Sequence, residues 1–320
     1  MSTRPFEFGV PDIRPWRAGN VGVPGVWRFD SQLPGRDVMV SALVHGNELC
    51  GAWALRSALV AALRPRRGSL TLVFANLDAF DRFDPAAPDA SRYLGTDMNR
   101  LWGAMDWRRD LVNATAEHRR VLALAPVVER SQWLLDLHSM HGHGAPLALA
   151  GPLAHHAAQA LQLGAPAIVV ADAGRRAGRR MRDHGRYGDP DATQHFSLLV
   201  ECGFHGAASS VDVAHDVLGR FLLASGIVDE ADVPHEWQLA APAGGQRLLT
   251  VTEAVTVAAG EPPRLAQAWL SGAVVPRAGT VVGWNGGQPV ITPYDDCVLI
   301  MPTLVHAAPG ATLVRFARAA

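Results

Sequence analysis

The chain has 320 residues, a formal charge of −1, 48% apolar residues and 18% charged ones. That balance suits one large compact unit, or a large one joined to a small one, and offers no electrostatic footprint for nucleic acid or an anionic membrane surface. All 29 basic residues are arginine, so a Walker phosphate loop, a Schiff-base lysine and a pyridoxal-phosphate lysine are excluded.

Taken in chain order, "MSTRPFEFGVPDIRPW" lacks the basic-then-apolar order of a secretory leader. "DVMVSALV" reads as a strand, residues 48–63 as a helix and "SLTLVFANL" as a second strand. Residues 116–130 read as a helix, "WLLDLH" as a strand, 153–163 as a helix and "AIVVAD" as a strand. "FSLLVECG" is a further strand and 211–225 a further helix. The strands are short and do not alternate cleanly, as in a sheet covered on both faces. Strands alternating with helices predict an α/β layer fold over residues 1–230. "GIVDEADVPHEWQLAAPAGGQ" reads as a linker. Beyond it, Val- and Thr-rich segments cut by Gly and Pro predict a small β-rich domain over 235–320. No window of about twenty residues is uniformly apolar, so no membrane span is expected. Cys50, Cys202 and Cys297 are few and unpaired in spacing, which suits buried thiols in a reducing, cytoplasmic setting.

His45 lies where the first strand gives way to a helix, and Glu48 follows in the first turn. An imidazole and a carboxylate at the carboxyl end of a parallel strand can share one metal ion, although a helix start also favours an acid for its dipole. His138, after "WLLDL", emerges on the same sheet edge if its strand is parallel to the first. Two histidines and a glutamate with one open position form the donor set of a catalytic zinc site. Asp136 is placed to orient an imidazole. His141 and His143 are alternative ligands, better placed beside the site or towards substrate. Glu201, in "FSLLVECGFHG", is a buried carboxylate at a strand end, either a base or an ion-pair partner. "SRYLGTDMNRLWG" offers Arg92, Asn99 and Arg100, residue types that grip carboxylates. The arginine-dense "GRRAGRRMRDHGRYGDP" is either a solvated surface or a wall near the substrate.

HGNE, RYLxxDMNR, DLH and ECG, in that order, resemble the succinylglutamate desuccinylase/aspartoacylase family, a branch of the zinc-carboxypeptidase fold group. The resemblance runs from about residue 37 to 206, and the β-rich tail is similar to that family's C-terminal domain. It implies a zinc-carboxypeptidase-like mixed sheet flanked by helices, with the β-rich tail overhanging the site. It implies one Zn2+ per chain on His45, Glu48 and His138, with Glu201 as the base that activates water. It further implies that Arg92 polarises the scissile carbonyl, that Asn99 and Arg100 hold a substrate carboxylate, and that Tyr187 contacts substrate. Met98 replaces the usual leucine of DLNR, and "ANLDAF" stands where many members have Asn-Pro. Asp191 stands where aspartoacylases carry an arginine for a side-chain carboxylate, so an acidic side chain would be repelled there unless the arginine-dense loop compensates. The expected reaction is hydrolysis of a small N-acyl amino acid or related amide, with a small-molecule substrate and a dimer or larger assembly. The alternatives are a zinc carboxypeptidase-type peptidase and a non-catalytic metal-binding protein. A serine hydrolase of the α/β type is disfavoured, because the GxSxG elbow is absent.

Overall fold

The computed structural model describes residues 6–103, 111–174, 178–305 and 307–320. Its centre is laid down by apolar runs that are too short for helices and are buried on both faces. β2 (Asp37–Ala42), β3 (Ser69–Phe74), β4 (Trp133–Met140) and β7 (Phe196–Phe204) run parallel, and almost every residue in them is buried. β1 (Val26–Asp30) adds antiparallel to β3, and β5 (Leu147–Leu149) adds antiparallel to β7. β6 (Ile168–Ala171) pairs parallel with β5.

Helices cover both faces. α1 (Leu49–Val60), α4 (Ala154–Gln162) and α5 (Ala208–Ser225) pack on one side over Val38, Val40, Leu135 and Leu137. α3 (Ala116–Arg130) packs on the other over Met39 and Leu134. The short α2 (Leu77–Phe80) follows β3, with Asn76 capping it by accepting from the Ala79 N–H. α1 lies very close to the sheet: a Cβ on Gly51 would stand 2.8 Å from Leu137 Cβ and 2.9 Å from Ala42 Cβ. This fixes the distance between the helix that begins after Glu48 and the strands that lead to His45 and His138.

The sheet does not stop at the expected division near residue 230. β8 (Arg247–Thr256) pairs parallel with β6, and the sheet continues through β14 (Thr312–Ala319), β13 (Cys297–Ile300) and β10 (Ala273–Val275). Among the described residues the order is β1-β3-β2-β4-β7-β5-β6-β8-β14-β13-β10, eleven strands in one mixed sheet. β9 (Arg264–Leu265), β11 (Val281–Asn285) and β12 (Gln288–Ile291) form a separate three-stranded sheet. The segment expected as a linker is packed down as well: Ile227, Val228, Val233 and Trp237 belong to the main hydrophobic core. No helix among the described residues is long and apolar enough to cross a membrane.

Candidate active site and metal centre

β2 ends at Ala42, and Leu43 adopts a left-handed φ of 60°, which turns the chain out of the strand before His45. Gly46 then passes so close to its neighbours that a Cβ would lie 2.4 Å from the Ser91 carbonyl oxygen and 2.5 Å from the Ala79 carbonyl carbon. Only glycine fits there. The Gly46 N–H donates to the Arg92 carbonyl at 3.1 Å, which ties this turn to the loop bearing Arg92. Glu48 is the residue just before α1, one position earlier than the sequence suggests. Its side chain makes no cap hydrogen bond, so the carboxylate is not consumed by the helix dipole.

Instead it bridges two imidazoles. Glu48 Oε1 lies 2.7 Å from His45 Nδ1, and Glu48 Oε2 lies 2.7 Å from His138 Nδ1. All three side chains are buried. One donor atom from each falls within 4.8 Å of the others, making this group a candidate metal centre. The far nitrogens are also held. His138 Nε2 lies 2.8 Å from Asp136 Oδ2, and His45 Nε2 lies 3.0 Å from Asp97 Oδ1. A carboxylate can only accept, so both nitrogens of each ring face an acceptor: Asp97 and Asp136 take the Nε2–H, and each Nδ1–H donates to Glu48 unless a bound ion takes its place. Arg92 Nη2 also approaches His45 Nε2, at 3.1 Å. Both groups there are donors, so that contact is proximity rather than a hydrogen bond.

Electrostatics agree with the geometry. Burial favours the neutral acid of Glu48, but His45 and His138 outweigh it and hold the carboxyl well below its usual range. Burial works against a charged His138, yet Asp136 and Glu48 raise its proton affinity well above the usual value. Asp97 is depressed despite burial, by His45, Arg100 and Arg92. Asp97 was missed as a site residue in the sequence, where it is simply the acid of DMNR.

β4 carries an irregularity beside this candidate ligand. Its register with β7 shifts between His138 and Met140. The Ser139 N–H, released from the ladder, donates to Glu48 Oε2 at 3.2 Å, and Ser139 Oγ sits 2.7 Å from His205 Nδ1. A bulge that redirects one backbone group is a common device next to a functional site.

Glu201 is the Cα partner of His138 across the β4–β7 ladder. It is 8% exposed, and its Oε2 has no hydrogen-bond partner. Burial and repulsion from Glu48 push its carboxyl up to about 7, against the pull of His138, Arg92 and His45. A carboxylate of that affinity, open to a cavity, suits proton transfer near neutrality.

Arg92 Nη1 donates to Glu48 Oε1 at 3.0 Å and to His141 Nε2 at 3.3 Å. His143 stacks on Phe204 instead of approaching the candidate ligands. Asn99 Oδ1 accepts from the Met181 N–H at 3.0 Å, and Arg100 Nη1 donates to the Asn99 carbonyl at 2.6 Å. The loop carrying them is anchored from below, because buried Glu117 of α3 accepts the Leu94 N–H at 2.6 Å. His45, Glu48, His138, Glu201, Arg92, Asn99 and Arg100 all line one cavity of about 770 Å³. Its remaining wall includes Ala254, Thr256, Met301, Pro302 and Thr312, so the C-terminal segment forms part of it. A volume of that order suits a small molecule.

Two expectations fail. Tyr187 does not reach the cavity. It sits in the core beside α3, and its hydroxyl donates to the Ser131 carbonyl at 2.7 Å, at the base of β4. Asp191 is exposed and absent from the cavity wall, so it repels nothing there. From the arginine-dense loop the cavity receives Arg180. Residues 175–177 of that loop lie outside the described residues.

Residues 34–194 match the family model of the succinylglutamate desuccinylase/aspartoacylase catalytic domain. That span includes the three candidate ligands and the DMNR segment, and it ends before Glu201. No curated protein sequence matches the chain. Among solved structures, the succinylglutamate desuccinylase/aspartoacylase from Rhodobacter sphaeroides is similar at 17% identity and a TM-score of 0.65, over 94% of this chain and 90% of that one. The succinylglutamate desuccinylase from Chromobacterium violaceum is similar at 19% identity and 0.62, over 93% and 89%. The product-bound ectoine utilization protein EutE (DoeB) from Ruegeria pomeroyi is similar at 18% identity and 0.60, over 97% and 92%. At such identities the likeness to these structures is one of fold.

Proposed function

Because the chain belongs to the succinylglutamate desuccinylase/aspartoacylase family, whose members are hydrolytic deacylases, we propose that it is a zinc-dependent hydrolase that cleaves the amide bond of a small N-acyl amino acid or a close relative. The observation that carries this reading is that His45, Glu48 and His138 each bring a donor atom within 4.8 Å of the others, with Glu48 between the two Nδ1 atoms and Asp97 and Asp136 behind the imidazoles. That donor set fits zinc, with room for a further ligand on the cavity side. When bound, the ion supplies Lewis acidity and lowers the pKa of a water towards neutrality.

The protein's own groups do the rest. Glu201 takes the proton of the attacking water, since its Oε2 is unpartnered and its affinity lies near 7. Arg92 supplies a charged donor to the oxygen that gains negative charge when the amide carbon becomes tetrahedral. Asn99 and Arg100 hold the substrate carboxylate and so lower the entropic cost of attack. Glu201 then returns the proton to the departing nitrogen, which leaves as an amine while the acyl group leaves as a carboxylate. The wall formed by residues from 254 to 315 favours small substrates over polypeptides.

The test is metal content of the purified protein together with hydrolysis of a panel of N-acyl amino acids. About one zinc per chain with release of free amine supports the reading. Stoichiometric zinc without turnover of any member sinks the deacylase assignment. Absence of metal even after zinc is supplied sinks the centre itself.

A further inference from the structure

His141 takes no part in the chemistry above, although it lines the same cavity. It is the first residue after β4, and the loop it opens is tied down further on. There the Ser271 N–H donates to the His143 carbonyl and the Ala145 N–H to the Ser271 carbonyl, each at 3.2 Å. Gly144 lets the two segments meet, because a Cβ there would lie 2.6 Å from the Ser271 nitrogen. The His141 ring stands edge-on to that of His205, with centroids 4.5 Å apart, and His205 Nδ1 is itself held 2.7 Å from Ser139 Oγ.

Facing this ring is the turn that carries Arg92. Pro88–Ser91 is a turn of 3-10 helix, and the Arg92 N–H donates to the Asp89 carbonyl at 3.2 Å. Residues three apart on such a turn eclipse one another, so Asp89 and Arg92 share one face of it. His141 bridges them: its Nδ1 lies 3.1 Å from Asp89 Oδ1 and its Nε2 lies 3.3 Å from Arg92 Nη1. A carboxylate only accepts and a guanidinium only donates, so Nδ1 carries the proton and Nε2 turns its lone pair to Arg92. Arg92 is thereby held at one end and open at the other. Of the two hydrogens on Nη1, one goes to Glu48 Oε1 at 3.0 Å and one to His141. Nη2 meets no acceptor among the described residues, since its neighbour His45 Nε2 is a donor. Its hydrogens are left for an oxygen that enters the cavity. The Glu48 carboxylate belongs to the candidate metal centre, so once an ion claims it His141 is the acceptor that still holds Nη1.

We infer that His141, with its tautomer set by Asp89, is a positioning residue that aims the open edge of Arg92 at the scissile carbonyl. This rests on the deacylase reading above and adds a part which that reading does not contain. A donor aimed at developing charge acts through being fixed in advance, before the charge appears. An Arg92 that loses its imidazole partner keeps its charge but loses its aim. The cost then falls on the transition state and spares substrate binding, so it shows in kcat and not in KM.

The experiment is a double-mutant cycle on the zinc-loaded protein, read by amine release from an N-acyl amino acid. His141→Ala should lower kcat about 10- to 100-fold, the range for a lost charged hydrogen bond or a misplaced group, with KM and zinc affinity unchanged. His141→Gln, whose amide oxygen can accept from Arg92, should recover part of that loss. In an Arg92→Ala background, His141→Ala should cost less than about twofold, because nothing is left to position. Asp89→Asn, which can turn its NH2 to Nδ1 and reverse the tautomer, should also lower kcat, and its effect should vanish once His141 is removed. Should His141→Ala fail to fold, Asp89→Asn against Arg92→Ala carries the cycle. Equal losses in both backgrounds would overturn the inference and leave the deacylase reading intact. Zinc lost from His141→Ala would overturn it too, by making the histidine a ligand. If no N-acyl amino acid is hydrolysed, that reading falls and the clamp is judged by 15N NMR of the ring nitrogens. A protonated Nδ1 and an unprotonated Nε2 on His141 at about pH 8 would support it, and a proton on Nε2 would overturn it.

Discussion

Asp136→Asn isolates the role assigned to the buried carboxylates behind the ligands. The change is isosteric, so no cavity is created in β4. Asp136 is fully buried and its Oδ2 lies 2.8 Å from His138 Nε2. Removing its charge weakens a hydrogen bond of the charged type, worth about 1.5–3 kcal/mol. An amide can also turn its NH2 towards Nε2, which would draw the imidazole proton to Nδ1 and block the donor atom. Orienting carboxylates of this kind are worth about 10- to 100-fold in metal affinity, or about 1.4–2.8 kcal/mol, in agreement with the hydrogen-bond figure. Asp97 faces His45 at a longer 3.0 Å, its side chain is 20% exposed, and Arg100 shares it at 3.5 Å. Asp97→Asn should therefore cost less, about tenfold at most. Zinc dissociation constants measured by competition with a chromophoric chelator give both values, with melting of the metal-free variants as a folding control. Wild-type affinity in Asp136→Asn, or a larger loss in Asp97→Asn, would refute the assignment of Nδ1 as the donor atom.

Three further outcomes are expected. Glu201→Gln should retain zinc and lose about 10²- to 10⁴-fold in turnover, and near-normal rates would remove Glu201 as the base. Tyr187→Phe should lower stability by about 1 kcal/mol, because the hydroxyl serves the Ser131 carbonyl, while kcat/KM stays unchanged. A fall in kcat/KM without a fall in stability would return Tyr187 to the substrate. The chelator-treated protein should lose thermal stability as pH rises. The raised affinity of His138 stabilises the fold fully below its unfolded value of about 6.5, and that contribution is lost as pH climbs through the higher folded value. Glu201, raised to about 7 by burial and by Glu48, has the same sign: its folded-state ionisation is penalised as pH passes from the unfolded carboxyl value towards neutrality. Melting temperatures that stay flat or rise between about pH 5 and about pH 8 would contradict this.

The sequence carries the frame of this site but not its lining. His45, Glu48, His138 and Glu201 stand beside apolar runs, and strand ends are where a parallel sheet presents side chains to a ligand. Register alone then makes His138 and Glu201 neighbours. The shorter strands escape notice. β5 spans three residues, and β1 carries charge at Arg28 and Asp30, so neither shows a buried run. Asp97 escapes because its partner His45 lies 52 residues away, and only folding joins them. Arg315 escapes for a different reason. Within "TLVRFARA" it resembles an outward residue of an edge strand, yet β14 lies between β8 and β13, and the arginine points into the cavity wall. Tyr187 misleads because chain spacing does not fix direction. It sits in a short turn of 3-10 helix, Gly185–Gly188, which aims the ring at the core.

The placement of β14 also bears on how the cavity is put together. Its pairing with β8, which sets Thr312 against Thr256, joins segments distant in the chain, the kind of contact that closes slowly. The three candidate metal donors, by contrast, come from the β2–α1 turn and β4, all within residues 45–138. The candidate donors thus come from the first half of the polypeptide and part of the cavity wall from its last strand, so one pocket depends on both ends of the chain.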